Sequence, residues 1–326
     1  MKTKILSLLR NTTEYISGQE ICRQLGVSRT AVWKVINQLK EEGYTIEAIQ
    51  NKGYRIVEYP DILTKSEIKS RLKTKWAGQQ VYCYEEIGST NIEAKKYAEE
   101  GEPHGTLVVS DKQISGRGRR GRIWESPGGS SVYMTIMLRP EFSPDRASRL
   151  TLLMALAVAH AIMDVSGIQA KIKWPNDIVV NGKKVCGILT EMSAELDYIH
   201  HVVIGVGINT NQENFPAGIN ATATSLYLES GKRYDRAALV ERTMYYFEQY
   251  YEQFLPMQNL EAMLGEYDSL LINKGKRVRV LDPGNEFDGI ALGINDSGEL
   301  LVKKDDDQVV EVYAGEVSVR GLYGYV

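Results

Sequence analysis

The chain has 326 residues, of which 39 are Lys or Arg, 42 are Asp or Glu and 43% are hydrophobic. This is enough apolar material for two or three packed domains. No run of about 18 apolar residues occurs, and the N-terminal segment turns polar before a signal-peptide core could form. We therefore expect a cytoplasmic protein without a membrane segment. Residues 1–60 carry nine Lys and Arg against six Asp and Glu, which favours a nucleic-acid-binding module at the front.

Cysteine and histidine usage argues against disulfides and against a metal centre. The three cysteines are far apart, odd in number and form no Cys-x-x-Cys pair, so we expect reduced thiols. The four histidines lack the spacing of metal ligands, and we predict no metal site from them. These residues are Cys22, Cys83, Cys186, His104, His160, His200 and His201.

Residues 1–60 have the pattern of three short helices and a hairpin. Ser17 and Glu20 predict a capped second helix that ends at Gly26. Ser28 suits the N-cap of a third helix, whose apolar residues repeat at helical spacing. These apolar residues are Val32, Val35, Ile36 and Leu39. The order of helix, glycine turn and helix indicates a helix-turn-helix.

The third helix presents small polar and basic groups on its other face, where a major groove would be read. The predicted DNA-binding residues are Ser28, Arg29, Thr30, Trp33, Lys34 and Asn37. In residues 45–59, apolar and polar side chains alternate on either side of Asn51-Lys52-Gly53. This pattern predicts a β-hairpin, which completes a winged helix-turn-helix. The alternative is a small helical interaction domain with a solvated polar face.

The rest of the chain divides into two further predicted domains. Pro60 and Asp61 end the first unit, and Thr64 with Glu67 predicts the cap of a fresh helix. We place the domains at 1–60, 64–272 and 275–326. The central domain mixes strands and helices without regular alternation, which is typical of an α+β fold rather than a doubly wound sheet. Short strands and tight turns after residue 275 predict a small C-terminal β-barrel.

Residues 113–124 contain four arginines and three glycines within nine positions. Charge repulsion and glycine entropy predict a mobile loop, which an anion could order by bridging several guanidiniums. Gly116, Gly118 and Gly121 satisfy G-x-G-x-x-G, but the segment runs into Trp124 without opening a helix, which argues against a dinucleotide site. No Lys-Ser or Lys-Thr ending supports a P-loop. A basic loop for nucleic acid is the alternative.

Four further motifs accompany this loop, at residues 88–91, 173–177, 183–189 and 205–209. Together they resemble, residue by residue, the biotin protein ligases. With the N-terminal winged helix-turn-helix, the resemblance is closer to the bifunctional bacterial biotin ligase and biotin operon repressor, and it spans essentially the whole chain. It implies a central mixed α/β catalytic domain like that of biotin and lipoate ligases, and an SH3-like C-terminal barrel.

The resemblance also implies a two-step reaction. Biotin and ATP, with Mg²⁺, would form biotinyl-5′-adenylate, and a lysine of a biotin carboxyl carrier domain would then displace AMP. Orientation and charge stabilisation would suffice, so no covalent nucleophile is needed. The adenylate would order the arginine loop and the 210–224 loop and favour a homodimer that binds operator DNA of biotin genes.

Individual site residues follow from the same resemblance. The catalytic residues would be Lys184, between the biotin carboxylate and the α-phosphate, and Arg119. Biotin would contact Ser89, Thr90, Asn91, Gln113, Arg117, Gly118, Arg119, Lys184, Gly187, Gly205 and Gly207. ATP and the adenylate would contact Arg117, Arg119, Arg122, Trp124, Asn176 and Asn209, with Trp124 stacking on adenine. Asn176, Asp177 and Asn209 are also ordinary turn formers.

Two other functions fit parts of this pattern. A transcription factor whose second domain only senses a ligand would not need Lys184 to align two anions. A lipoate or octanoate ligase shares the adenylate chemistry, but the arginine loop with Trp124 and the winged helix-turn-helix favour biotin.

Overall fold

The structure, a computed structural model, describes residues 1–281, 286–314, 318–321 and 325–326. It divides into two compact units, Met1–Lys73 and Thr74–Val326.

The first unit is a winged helix-turn-helix. Its elements are helices α1 (Lys2–Arg10), α2 (Gly18–Leu25), α3 (Arg29–Glu41) and α4 (Lys65–Arg71), and strands β1 (Thr45–Ile49) and β2 (Gly53–Glu58). Ser17 and Ser28 cap α2 and α3 by accepting hydrogen bonds from Glu20 N and Ala31 N. Gly26 ends α2 in the left-handed conformation at φ 66°. The antiparallel pair β1–β2 forms the wing, as its sequence pattern predicts.

Helix α4 corrects the predicted boundary between the first two domains. Thr64 caps this helix as expected, but α4 belongs to the first unit. Glu67 is fully buried there, pairs with Arg10 at 2.7 Å and accepts a hydrogen bond from the Tyr44 hydroxyl. Because a buried carboxylate is stable only when paired, these contacts tie α4 to the helix-turn-helix. The boundary between the predicted domains 1–60 and 64–272 therefore lies after Lys73 and not between residues 60 and 64.

The second unit is built on a seven-stranded mixed sheet with strand order β3-β4-β5-β9-β8-β7-β6. Its strands are β3 (Val81–Ile87), β4 (Thr106–Gln113), β5 (Val132–Leu138), β6 (Lys171–Lys173), β7 (Asp177–Val180), β8 (Lys183–Ala194) and β9 (Ile199–Ile208). Its helices are α5 (Thr90–Glu99), α6 (Arg149–Ser166), α7 (Leu226–Ser230), α8 (Arg236–Phe254) and α9 (Leu264–Leu270). Among the seven strands of this sheet, all of which lie in the described part of the chain, only β3 and β4 pair in parallel. The α+β prediction is therefore confirmed.

Helices cover both faces of this sheet. Helix α5 contacts Glu191 through Asn91, whereas α6 contacts Thr190 through Thr151. Because neighbouring strand residues point to opposite faces, α5 and α6 lie on opposite sides of β8. Residues Pro144–Ser166 pass a length and composition test for a membrane span, the one segment of the described chain to do so. Most of α6 is buried among the strands and α8, as expected for a core helix.

A five-stranded antiparallel sheet follows, with order β13-β12-β11-β10-β14. Its strands are β10 (Arg277–Leu281), β11 (Phe287–Ile294), β12 (Leu300–Lys303), β13 (Val309–Val312) and β14 (Ser318–Gly321). Strand β14 returns to pair with β10. The small C-terminal β domain is thus confirmed as an antiparallel sheet. No pairing of β13 with β14 closes it into a barrel within the described residues.

Candidate functional site

A cavity of about 620 Å³ lies on the α5 side of the large sheet, where β4 and β9 end and β8 begins. Every residue predicted for biotin or nucleotide binding lines it. These residues are Ser89, Thr90, Asn91, Gln113, Arg117, Gly118, Arg119, Arg122, Trp124, Asn176, Lys184, Gly187, Gly205, Gly207 and Asn209. The cavity therefore combines an apolar floor with a dense set of cations, which suits a ligand that is part ring and part anion.

One end of the cavity is polar and built around the start of α5. Gln113 Oε1 accepts hydrogen bonds from Thr90 N at 2.9 Å and from the Thr90 hydroxyl at 3.1 Å. Gln113 Nε2 donates to the Ser126 hydroxyl at 3.1 Å. Thr90 is only 4% exposed. These bonds fix the orientation of both side chains, which can discriminate a buried polar ligand group.

Asn91, a predicted biotin contact, also lines the cavity at this end and is held by neighbouring protein groups. Its Oδ1 accepts from the Thr135 hydroxyl at 2.6 Å, and its Nδ2 donates to Glu191 Oε2 at 2.7 Å. Lys95 donates to the other oxygen of Glu191 at 2.6 Å. Because protein groups engage both ends of the amide, Asn91 supports the cavity wall. Periodicity alone did not indicate Thr135, Glu191 or Lys95.

The charge state of Glu191 suits this supporting role. Burial raises the pKa of the Glu191 carboxyl, but hydrogen bonds from Lys95 and Asn91 outweigh this effect, and the charge of Arg117 adds to them. The net pKa lies below its ordinary value. Glu191 is therefore an anion at neutral pH and holds Asn91 in one orientation.

Gly187, Gly205 and Gly207 are predicted biotin contacts. In this structure, protein side chains also approach these glycines closely. A Cβ at Gly187 would lie 2.8 Å from Trp124 Cζ3, and one at Gly207 would overlap the Trp124 indole. A Cβ at Gly205 would overlap the Asn91 amide. The Trp124 indole thus covers Gly187 and Gly207. Its Nε1 is buried and has no acceptor among the described residues.

The charged end of the cavity is organised by Lys184 and Asp177. Lys184 Nζ lies 2.6 Å from Asp177 Oδ1 and 5.2 Å from the centroid of a Trp124 ring. The Lys184 backbone is bonded on both sides, to Thr222 O at 2.7 Å and from Thr224 N at 2.8 Å. The 210–224 loop therefore fixes the backbone from which Lys184 reaches the cavity.

Arg119 is the most firmly held arginine of the loop. It donates from Nη1 to Asn176 Oδ1 at 2.9 Å and from Nη2 to Ala314 O at 3.3 Å. Burial lowers the pKa of its guanidinium, although the nearby Asp177 raises it. Asn176 in turn donates to Ile188 O at 2.9 Å. This arrangement holds a desolvated cation beside Lys184, where it can act on an anion at reduced dielectric.

The other loop arginines are more open to solvent. Arg117 and Arg122 are exposed, and Arg120 adopts a left-handed conformation at φ 58° next to Gly121 at φ 68°. All four loop arginines, Arg117, Arg119, Arg120 and Arg122, nevertheless line the cavity.

Neither the histidines nor the cysteines contribute to this cavity. Within residues 1–281, 286–314, 318–321 and 325–326, no three His, Cys, Asp or Glu side chains are placed to share a metal ion. Cys22 and Cys186 are free thiols, and burial raises the pKa of the Cys186 thiol. Cys186 is thus a packing residue rather than a nucleophile.

The predicted DNA-binding face lies on α3 of the first unit. Trp33 is 57% exposed, and Ser28, Arg29, Thr30 and Lys34 are also exposed, whereas Asn37 is half-buried. Ser28 uses its hydroxyl to cap α3. A large exposed aromatic among basic and hydroxyl side chains is suited to base contacts in a major groove.

Fold and site define a DNA-binding protein that also carries a pocket for an anionic ligand. Residues 85–209 match the Biotin/lipoate A/B protein ligase family, residues 2–55 an HTH domain and residues 275–320 the Biotin protein ligase C terminal domain. The chain is 42% identical over 308 residues to the Bifunctional ligase/repressor BirA of Bacillus subtilis (strain 168), covering 94% of each chain. It belongs to this family of bifunctional biotin ligases and repressors.

More distant relatives agree with this assignment. The Bifunctional ligase/repressor BirA of Escherichia coli (strain K12) is 29% identical over 321 residues, covering 97% of this chain and 96% of that one. The solved structure of Biotin protein ligase from Aquifex aeolicus in complex with biotin and ATP is 29% identical with a TM-score of 0.67. It covers 74% of this chain and 99% of its own. The family resemblance and the ligase prediction are thus confirmed.

Proposed function

We propose that this protein activates biotin with ATP, transfers it to a lysine of a biotin carboxyl carrier domain, and represses biotin genes when its adenylate accumulates. The observation that carries the ligase half is the cavity itself. Its lining combines the polar Thr90 and Gln113 pair with the cations Lys184 and Arg119, which supports a ligand that is part polar ring and part anion. ATP, the carrier domain and DNA are all available in the cytoplasm, where we expect the protein to act.

The ureido ring of biotin would lie at the Thr90 and Gln113 end, with Ser89 and the loop backbone near Arg117 and Gly118 completing the hydrogen bonds. The apolar ring and chain would run over the glycine floor, with Trp124 moving aside to accept the adenine. The carboxylate would then reach Lys184. This orientation uses the polar end for specificity and the cationic end for chemistry.

In the first half-reaction a carboxylate oxygen of biotin attacks the α-phosphorus of ATP. A new oxygen–phosphorus bond forms as the bond to the bridging oxygen breaks, and pyrophosphate leaves. Lys184 would neutralise the two reacting anions, and Arg119 with Arg117 and Arg122 would hold the phosphate oxygens. Asn176 would keep Arg119 in place, and Asn209 would face the nucleotide.

In the second half-reaction the uncharged amine of the acceptor lysine attacks the carbonyl carbon of the adenylate. AMP leaves with the bonding electrons, and the amine proton passes to solvent. Mg²⁺ would enter as MgATP, bound mainly by phosphate oxygens. Asp177 and Glu125 are the carboxylates that line the described part of the cavity.

For repression, the adenylate would order the arginine loop and the 210–224 loop and thereby favour a homodimer with two winged helices. This requires the adenylate to bind the dimer-competent state more tightly than the other state. Consumption of the adenylate by the carrier domain would reverse it. The contact of the 210–224 loop with the Lys184 backbone supports this link between ligand and loop.

We expect biotin plus ATP to tighten DNA binding at least tenfold, because only the dimer presents two recognition helices. The probes are 40-base-pair duplexes that the adenylate-bound protein selects from a random-sequence pool. Adding a biotin carboxyl carrier domain is expected to release the DNA by consuming the adenylate. A carrier domain with its acceptor lysine changed to arginine is the matched control and should leave the complex intact. Equal DNA binding with and without biotin and ATP would contradict the repressor half.

A further inference from the structure

Tyr325 lies in the cavity although it is far along the chain from every motif. It is one of the residues that line the site, and 148 positions separate it from Asp177, to which its hydroxyl donates a hydrogen bond. The acceptor is Oδ2 of Asp177, whereas Oδ1 faces Lys184 at 2.6 Å. The Asp177 carboxylate is therefore held from both sides, by a phenol and by the catalytic ammonium.

The ring of Tyr325 makes a second contact with the charged end of the site. Lys173 Nζ lies 3.3 Å from the centroid of the ring. Lys173 is only 5% exposed and lines the cavity together with Lys184 and Arg119. A desolvated ammonium on an aromatic face is held by the ring quadrupole. Tyr325 thus contacts an anion and a cation of the same cluster.

The C-terminal sheet region reaches the arginine loop as well. Ala314 O accepts a hydrogen bond from Arg119 Nη2 at 3.3 Å. Two segments near the end of the chain therefore contact groups that belong to the proposed phosphate end. By contrast, the hydrogen bonds described above for Thr90 and Gln113 involve no residue near the end of the chain.

We propose that Tyr325 is a positioning residue for the adenylation half-reaction, an inference that rests on the proposed ligase function. Its hydroxyl fixes Asp177 and, through it, the ammonium of Lys184. Its ring keeps Lys173 at the cavity, where an arriving triphosphate would meet a cation that is already desolvated. Preorganised charges of this kind contribute most when they need not move during the reaction.

The test compares Tyr325→Phe and Tyr325→Leu in the full chain. Tyr325→Phe keeps the ring and loses the hydroxyl, so biotin-dependent ATP–pyrophosphate exchange should fall about tenfold in kcat, with the KM for ATP within twofold. Tyr325→Leu also loses the aromatic face, so the KM for ATP should rise about fivefold. Tyr313→Phe, which removes an exposed hydroxyl outside the cavity, is the matched control.

Two further measurements separate positioning from folding. The Kd for biotin, by titration calorimetry, and the transfer of supplied biotinyl-5′-adenylate to the carrier domain should stay within twofold in both variants. Wild-type exchange rates in Tyr325→Phe, or equal losses in exchange, biotin binding and transfer, would overturn the proposal. If wild-type protein itself shows no exchange, the proposed ligase function fails instead.

Discussion

Lys184→Ala is expected to lower the rate of biotin-dependent ATP–pyrophosphate exchange by about a thousandfold, the upper range for loss of one preorganised donor. In the proposed reaction, the Lys184 ammonium would neutralise two anions that must approach each other. Its removal also leaves Asp177 without the ion pair at 2.6 Å, which adds repulsion toward ATP. Exchange measured at saturating biotin and ATP isolates this step from acceptor binding.

Lys183→Ala provides the matched control. Lys183 is the neighbouring residue on β8 and is exposed, whereas Lys184 is half-buried. Because side chains alternate along a strand, the Lys183 ammonium points away from the cavity. Its removal should leave exchange within twofold of wild type. Equal activities of the two variants would contradict the role assigned to Lys184.

Arg119→Ala is expected to reduce exchange about a hundredfold, with a higher KM for ATP, because in the proposed reaction the side chain would supply a desolvated fork for phosphate oxygens. Arg119→Lys should recover only part of the loss, since lysine lacks the planar bidentate geometry. Asn176→Ala should also lower exchange, by about tenfold, because Arg119 loses its hydrogen bond to Asn176 Oδ1 at 2.9 Å.

A double-mutant cycle connects the last two effects. If Asn176 acts through Arg119, the double variant should be no slower than Arg119→Ala alone, because the orienting bond has nothing left to orient. The test is to measure kcat and KM for ATP in the wild-type protein, Arg119→Ala, Asn176→Ala and the double variant. Fully multiplicative losses would show that Asn176 contacts the nucleotide independently, and near-wild-type Arg119→Ala would remove the arginine from the mechanism.

The helix caps and the turn of the wing were predicted correctly because each depends on interactions between residues that are close in sequence. Ser28 caps α3 with a hydrogen bond three residues away, and Gly26 ends α2 through its own backbone conformation. The wing forms around Asn51 at φ 64°. Such features depend on a few neighbouring residues, which is why spacing alone predicts the winged helix-turn-helix.

Contacts between residues far apart in sequence could not be predicted in this way. The Arg10 and Tyr44 contacts of Glu67 assign α4 to the first unit, and they join residues 57 and 23 positions apart. The inward-facing bonds of Asn91 and the placement of Tyr325 depend on tertiary approach in the same way. Motif resemblance predicted residues that line the cavity, but it could not predict which of them bond to protein.

Trp124 illustrates the limit most clearly. The resemblance implies that its indole stacks on adenine, whereas here it lies on Gly187 and Gly207. Both positions use glycine for the same reason, since a Cβ would collide with whatever covers the floor. The sequence therefore predicts a close approach at these glycines without indicating which group makes it.

Transfer of radiolabelled biotin to a biotin carboxyl carrier domain by the wild-type protein decides whether this chain is a biotin ligase. We expect label on the carrier that requires ATP and the acceptor lysine. Unlabelled biotin should compete with this label, whereas lipoate should neither compete with biotin nor replace it. Label that fails to appear, or that appears equally with lipoate in place of biotin, would contradict the ligase function.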